Sequence, residues 1–366
     1  MTNNMPHINN RLLRFSVQAL IIILSAIVSL LSMVLIAGAF ADYRPARLEP
    51  VTPKIPNKNG KNNEKNENNE KILSFLIWNI GYAGLGKESD LFHDGGKMVH
   101  TPKNAVQKNV EGIKDLLVKM QNVDFFMLQE VDQNAHRSYF INQADYFSQH
   151  LPDYTLTFAT NYNAAYIPYP IKQPYGKVWS GLATYSRFAP KESLRYALPA
   201  EYPWPVSMFF VKRCFLVQRY AVSGGKELVL INTHKSAYDS DGKVKKTQMQ
   251  ELKSIILKEY EKGNYVVVGG DWNQSPPGFK NENIAPQDPA FDVPDDFMPP
   301  GWQWIYDPTH PSNRKMHTVY QPGETPTQLL DFFLISPNLE LIAASTIDQQ
   351  FEFSDHHPVY MRVQLK

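Results

Sequence analysis

Six stretches of the chain set a carboxylate, a carboxamide or an imidazole against an apolar run. Asn79 follows residues 72–78, Glu130 follows 124–129, His234 follows 228–232, and Asp271 with Asn273 follows 265–270. Asp331 stands near the start of 330–335, and Asp355-His356-His357 precedes 359–363. One polar residue at the end of an apolar run is ordinarily a helix cap or a solvated turn. Several are different, because neighbouring strands lay their ends side by side and gather such groups into one pocket. Oxygen donors mixed with imidazoles suit a hard divalent ion, Mg²⁺ or Mn²⁺. The single cysteine, Cys214, excludes an intrachain disulfide and a cysteine-rich zinc site.

Short apolar runs read as buried strands at 72–78, 124–129, 182–186, 214–220, 228–232, 265–270, 330–335 and 359–363, with Gly224-Gly225 as a hairpin turn. Residues 104–120 carry apolar side chains at helical spacing (Val106, Val110, Ile113, Leu117, Met120), and 244–260 also reads as a helix. Many strands and few helices predict packed sheets with helices outside rather than a Rossmann alternation. Residues 162–175 and 276–326 show no regular pattern, are rich in proline, tyrosine or tryptophan, and read as long functional loops.

Trp78-Asn79, Leu128-Gln129-Glu130-Val131-Asp132, Asn232-Thr233-His234, Gly270-Asp271-Trp272-Asn273, Asp331-Phe332-Phe333-Leu334-Ile335-Ser336 and Ser354-Asp355-His356-His357-Pro358-Val359 occur in this order. Together they resemble the endonuclease/exonuclease/phosphatase superfamily, the DNase-I-like fold, over residues 71–366. The resemblance implies an α/β fold, a four-layered αββα sandwich of two mainly antiparallel sheets flanked by helices. It implies a phosphoric ester hydrolase using Mg²⁺ or Mn²⁺. Glu130 would be the principal metal carboxylate, with Asn79 and Asp355 on the metal side. Asp271 would orient or deprotonate the attacking water, and Asn273 would support it and the phosphate. His234 would bind a non-bridging oxygen, and Asp331 would hold His356 in its protonated form. Such a set suits in-line displacement at phosphorus, where a cation and a cationic histidine offset growing negative charge.

Other positions are less specific. Glycine and tyrosine follow Asn79 (Gly81-Tyr82-Ala83-Gly84-Leu85-Gly86), where many family nucleases carry another acidic or amide contact. Such a loop could offer backbone N–H groups to an anion. His93, Asp94 and Lys97 either touch substrate or order that loop. Arg187 and Lys235 are phosphate contacts or solvated charges. His357, Trp78 and Trp272 read as structural neighbours, and Asp132 as a loop residue.

The chain has 366 residues, 43% of them hydrophobic and 20% charged, which excludes wholesale disorder and coiled coil. A net charge of +1 argues against a strongly basic nucleic-acid face, though a local patch could hide in a neutral total. Residues 15–41 carry no charge and would form a helix of roughly 40 Å, long enough to span a bilayer. Arg11 and Arg14 precede it, so residues 1–14 are expected to stay cytoplasmic and the rest to lie outside. The length of the run favours a retained anchor, while Ala39-Phe40-Ala41 fits a signal-peptidase site, which would leave a secreted protein. Residues 42–70 read as a disordered spacer rich in Asn, Lys, Glu and Pro. The substrate stays open between nucleic acid, a phospholipid, and a sugar or inositol phosphate. A catalytically inactive binding module on the same fold is the alternative to an enzyme, and no protein partner is implied.

Overall fold

A computed structural model describes residues 10–56, 67–68, 71–199, 202–237, 239, 241–280 and 292–366. The apolar N-terminal run forms helix α1 (Asn10–Ala41). Within it Leu13–Ala41, 29 residues with an 18-residue stretch of mean hydropathy 2.9, is long and apolar enough to cross a membrane.

Two sheets carry the rest. The first runs in the order β1 (Leu48–Pro50), β7 (Glu192–Ala197), β8 (Cys214–Val222), β9 (Glu227–His234), β10 (Tyr265–Asp271), β14 (Asp331–Ile335), β11 (Gln303–Ile305), with β2 (Glu67–Asn68) beside β8. The second runs β15 (Leu339–Thr346), β16 (Val359–Leu365), β3 (Ile72–Asn79), β4 (Phe125–Asp132), β6 (Gly176–Ser186), β5 (Thr155–Ile167). A short ribbon pairs β12 (Asn313–Arg314) with β13 (Thr327–Gln328). Side chains alternate across each strand, so every central strand feeds two cores. Phe75, Ile77, Phe125 and Met127 meet Leu230, Val267 and Phe333 between the sheets. Leu76, Trp78, Phe126 and Leu128 point outward to Val106, Val110, Ile113 and Leu117 of α2 (Lys103–Lys119) and to Phe147 of α3 (Gln143–His150). Val229, Ile231, Val266 and Val268 pack against Met249, Leu252 and Ile256 of α4 (Lys243–Glu261). The result is the expected αββα sandwich.

Four expectations change. Residues 42–56 are not a free spacer: β1 pairs antiparallel with β7, the Val51 N–H donates to Ser193 O at 2.8 Å, and Lys54 bridges Leu156. Prolines at 45, 50, 53 and 56 suit such an edge strand, because each removes a donor a central strand would need. Most of the Asn/Lys/Glu tract, residues 57–66, lies outside the described residues. Residues 162–167 continue β5 rather than starting a loop. Asp132 ends β4 fully buried, in a bidentate pair with Arg137 (Nη2–Oδ1 2.9 Å, Nε–Oδ2 3.1 Å). In the long proline-rich segment residues 281–291 lie outside the described residues, and β11 and β12 fall within the remainder. The glycine hairpin joins β8 to β9 as expected, with φ of +87° at Gly224 and +73° at Gly225.

Candidate active site

In each sheet one parallel pair ends at the site, β3 with β4 and β9 with β10, and parallel strands end together. β3 and β4 align Asn79 with Gln129, next to Glu130. β9 and β10 align His234 with Asp271, and the antiparallel β14 begins at Asp331 directly opposite Asp271. β16 runs antiparallel to β3, so the segment entering it brings Asp355 and His356 to the same edge. The polar residues after the apolar runs therefore line one cavity of about 510 Å³, walled by Asn79, Glu130, His234, Asp271, Asn273, Asp355 and His356 among others.

Two of them hold left-handed backbone, Glu130 at φ +55° and Asn273 at φ +49°. The pairing of β4 with β6 slips between Leu128 and Val131, and this irregularity turns Glu130 out of the ladder toward the cavity. Such backbone costs about 1–3 kcal/mol per residue and persists only where the surroundings enforce it. Gly270 and Gly81 permit close approaches: a Cβ on Gly270, at φ +141°, would lie 2.0 Å from Thr233 O, and one on Gly81, at φ +49°, 2.8 Å from Asp355 Oδ1.

Asp271 is the hub. Its Oδ2 lies 3.0 Å from Asn79 Nδ2, 3.3 Å from His234 Nε2 and 3.8 Å from His356 Nε2, and its Oδ1 accepts the Asn273 N–H at 2.9 Å. Burial works against its charge, but His234 and His356 outweigh it and hold the carboxyl below the usual range. His356 Nδ1 lies 2.7 Å from Asp331 Oδ2. Burial again disfavours charge, yet Asp331, Asp355 and Asp271 raise the imidazole well above its ordinary value. His234 goes the other way: burial and then the nearby Arg213 guanidinium push it well below. The two imidazoles of one cavity are thus driven in opposite directions. Asp355 is pushed up to about 7 by burial, with Glu130 as a like-charged neighbour. Glu130 Oε1 is 3.4 Å from Asn79 Nδ2. The Asn79 Oδ1 accepts the Gly81 N–H at 3.0 Å, so this asparagine shows its NH₂ to the carboxylates. Asn273 donates from Nδ2 to Lys235 O at 2.9 Å. Ligand-type atoms of Asp271, Asp331 and His356 also lie within 4.8 Å of one another.

The remaining candidates divide. His93 and Asp94 line the cavity, whereas Lys97 is exposed away from its wall, its backbone N–H bound to Asp90 Oδ1. Arg187 follows β6, which runs antiparallel to β4, and its backbone N–H binds Asp124 O. Six residues of strand separate Asp124 from Glu130, about 20 Å, so Arg187 is at the opposite end of the sheet. Lys235 is fully buried, its Nζ bonded to Gln274 Oε1 and set 4.7 Å from the Trp272 ring, and burial with nearby Lys245 drives its pKa far down. Neither lines the cavity. His357 binds backbone as expected, with Nδ1 3.0 Å from Pro311 O. The Trp78 and Trp272 indoles donate to His356 O and Phe332 O beneath the cavity. In the glycine-rich loop the Gly81 and Gly84 N–H groups are already bound, to Asn79 Oδ1 and Gly81 O.

The cavity also holds residues that motif spacing missed. Asn313 sets its carboxamide 3.0 Å from His356 Nε2, and buried Arg314 donates to the carbonyls of Gly86 and Ser89, pinning the glycine loop. Arg137 lies 3.8 Å over the Tyr82 ring, and Tyr162, Tyr175, Tyr202, Phe210 and Arg213 complete an aromatic, cationic wall. Only the tyrosine-rich composition of 162–175 hinted at it.

The chain is similar in fold to several solved structures. An endonuclease/exonuclease/phosphatase from Beutenbergia cavernae DSM 12333 superposes with a TM-score of 0.58 at 18% identity, over 81% of this chain and 72% of that one. One from Bacteroides vulgatus gives 0.50 at 16%, over 81% and 100%. D. rerio TDP2, complexed with single strand DNA product, gives 0.50 at 14%, over 81% and 100%. No curated protein matches the sequence. The profile of the Endonuclease/Exonuclease/phosphatase family matches residues 77–356, more than half of the chain. With the strand order, the cavity and that match in agreement, the chain belongs to the Endonuclease/Exonuclease/phosphatase family, whose members hydrolyse phosphoester bonds.

Proposed function

We propose that the protein is a divalent-metal-dependent phosphoesterase, using Mg²⁺ or Mn²⁺, that cleaves a phosphodiester or phosphomonoester by in-line attack of water. Residues 71–366 form the catalytic part, and α1 is a membrane anchor or signal segment that carries it outside the cytoplasm. The observation that supports this reading most is the placement of Asp271 among Asn79, His234 and His356, at 3.0, 3.3 and 3.8 Å.

A hard cation fits beside Glu130 and Asp355. Both line the cavity, the charge of Glu130 helps hold the Asp355 carboxyl up, and Glu130 is the less buried of the two, with 25% of its side chain exposed. The alternative trio of Asp271, Asp331 and His356 is already joined by the 2.7 Å Asp331–His356 contact. A divalent ion held by Glu130 and Asp355, with Asn79 alongside, would neutralise phosphate charge. Protein side chains supply the rest. Asp271, ionised and hydrogen-bonded on both oxygens, orients the attacking water and takes its proton. His356, kept cationic by Asp331, faces charge that grows on phosphate oxygens. His234 offers an N–H to a non-bridging oxygen, and Asn273 fixes the loop that carries the water site.

The test is hydrolysis of bis-p-nitrophenyl phosphate by the full chain with Mg²⁺, with a chelator, and in His356→Ala. Losing an electrostatic group of this kind costs about 10²–10³ in turnover. Activity indifferent to both chelator and substitution refutes the assignment.

A further inference from the structure

A run of ten uncharged residues, Tyr202-Pro203-Trp204-Pro205-Val206-Ser207-Met208-Phe209-Phe210-Val211, joins the cavity to the end of α1. Its inner side faces the cavity: Tyr202, Phe210 and Val211 line it, and the Tyr202 and Phe210 rings lie 4.2 Å apart. Its outer side is apolar and bare, with Trp204 53% and Val206 43% exposed. It is also tied to the helix. Met208 Cε lies 3.0 Å from where a Cβ on Gly38 would stand, in the last turn of α1. Asp42, the first residue after the helix, is buried and pairs with Lys212 at 3.5 Å, and Lys212 Nζ donates to Ser207 O at 2.6 Å. Tyr162, on the opposite wall, donates to Phe209 O at 2.8 Å.

These contacts leave no slack between helix and domain. Twenty-nine residues at 1.5 Å each give about 43 Å against a hydrocarbon core of about 30 Å. With α1 across a bilayer, that excess lets its last turn, and Met208 against it, reach the membrane surface. Tryptophan and aromatic side chains favour that layer. A strand of nucleic acid would call for lysine and arginine along the approach instead.

We propose that the catalytic cavity opens onto the bilayer crossed by α1, with residues 202–211 as its interfacial wall, and that the substrate is a phosphodiester of a membrane lipid. The inference rests on the phosphoesterase reading for its chemistry and on α1 spanning a membrane for its geometry.

The test uses the full chain in phosphatidylcholine vesicles. Among the described residues Trp204 is the exposed tryptophan, so acyl-brominated phosphatidylcholine should quench a component of the fluorescence that is missing from Trp204→Phe. Equal quenching in the two proteins overturns the placement of the wall, whether or not the protein hydrolyses anything. The second arm compares turnover of vesicle sphingomyelin and phosphatidylinositol with that of bis-p-nitrophenyl phosphate in the same preparation. In Trp204→Asp the ratio of lipid to soluble turnover should fall about tenfold, the order expected when one aromatic contact with an apolar phase is lost. An unchanged ratio, or turnover of plasmid DNA without turnover of either lipid, overturns the substrate assignment. Absence of turnover on every substrate instead removes the phosphoesterase reading and the lipid chemistry with it, while the quenching result stands.

Discussion

Asn232 offers the sharpest test of how the two halves of the site are held in register. It lies on β9 with no exposure, two residues before His234, and its side chain crosses from one sheet to the other. Nδ2 donates to Leu128 O and Ala183 O, each at 3.2 Å, on β4 and β6, and Oδ1 accepts from Gln129 Nε2 at 2.8 Å. Three buried hydrogen bonds at a net 0.5–1.5 kcal/mol each put the cost of Asn232→Ala at about 2–4 kcal/mol. For a domain of this size that is a fall of about 4–10 °C in Tm, readable by calorimetry. Asn232→Asp should cost more than the alanine, since it keeps the acceptor, loses both donors and faces a carboxyl toward two carbonyls. Turnover should fall in Asn232→Ala even well below its melting temperature, because Glu130 and His234, 3.9 Å apart, stand on the strands that the amide joins. A melting temperature within about a degree of the parent, or an aspartate no worse than alanine, would show that packing alone sets the spacing of the sheets.

Two further outcomes follow from buried charge. Arg219 clamps Glu259 bidentately at 2.7 and 2.8 Å, and this bond, against the opposing effect of burial, lowers the carboxyl from its ordinary 4.5 to about 2. A depressed folded pKa stabilises above about 4.5 and the gain fades as pH falls toward 2, so Glu259→Gln should cost about 1–2 kcal/mol at pH 7 after solvent screening, and the gap to the parent should narrow at pH 3; a constant gap contradicts the linkage. Arg137→Met leaves Asp132 buried without its partner and should cost about 3–5 kcal/mol in urea unfolding, part of it recovered when Asp132→Asn is added, whereas equal losses in single and double variants would mean the pair is not the cause.

What the sequence revealed and what it hid divide along one physical line. Strand cores and the polar residues ending them are local: an apolar run and the residue after it are adjacent in the chain, so Glu130, His234, Asp271 and His356 were visible. Direction is not local. Arg187 also ends a strand, but β6 runs against β4, and the pairing of Ser186 with Phe125 sends it to the far edge. Lys235 follows His234 directly and is nonetheless sealed beneath the cavity beside Trp272, because alternate residues leave a strand on opposite faces. Residues 42–56 carry the composition of a linker, and only the free edge of β7 gives them something to pair with. Arg137, Arg213, Asn313 and the tyrosine wall come from segments without periodicity, so their convergence is a property of the assembled sheets alone.

The same reasoning accounts for where the backbone is strained. Parallel pairs bring strand ends together but leave their last side chains pointing along the sheet faces, into the cores above and below. Asn79, His234 and Asp271 reach the cavity from inside the ladder, but two residues of the site leave it. Glu130 does so at the slip between Leu128 and Val131, and Asn273 does so two residues past the end of β10, both through left-handed backbone, which asparagine tolerates and glutamate disfavours. Around them the chain is fixed by buried amides and tryptophans: Gln129 to Asn232, Trp78 to His356 O, Trp272 to Phe332 O. Glycine at 130 should relieve backbone strain and so cost little stability, or even add some, while removing function. In Asn273→Gly the lost bond to Lys235 O opposes that relief, so stability should fall together with activity, and a stability equal to the parent's would mean that the side chain does not hold the loop.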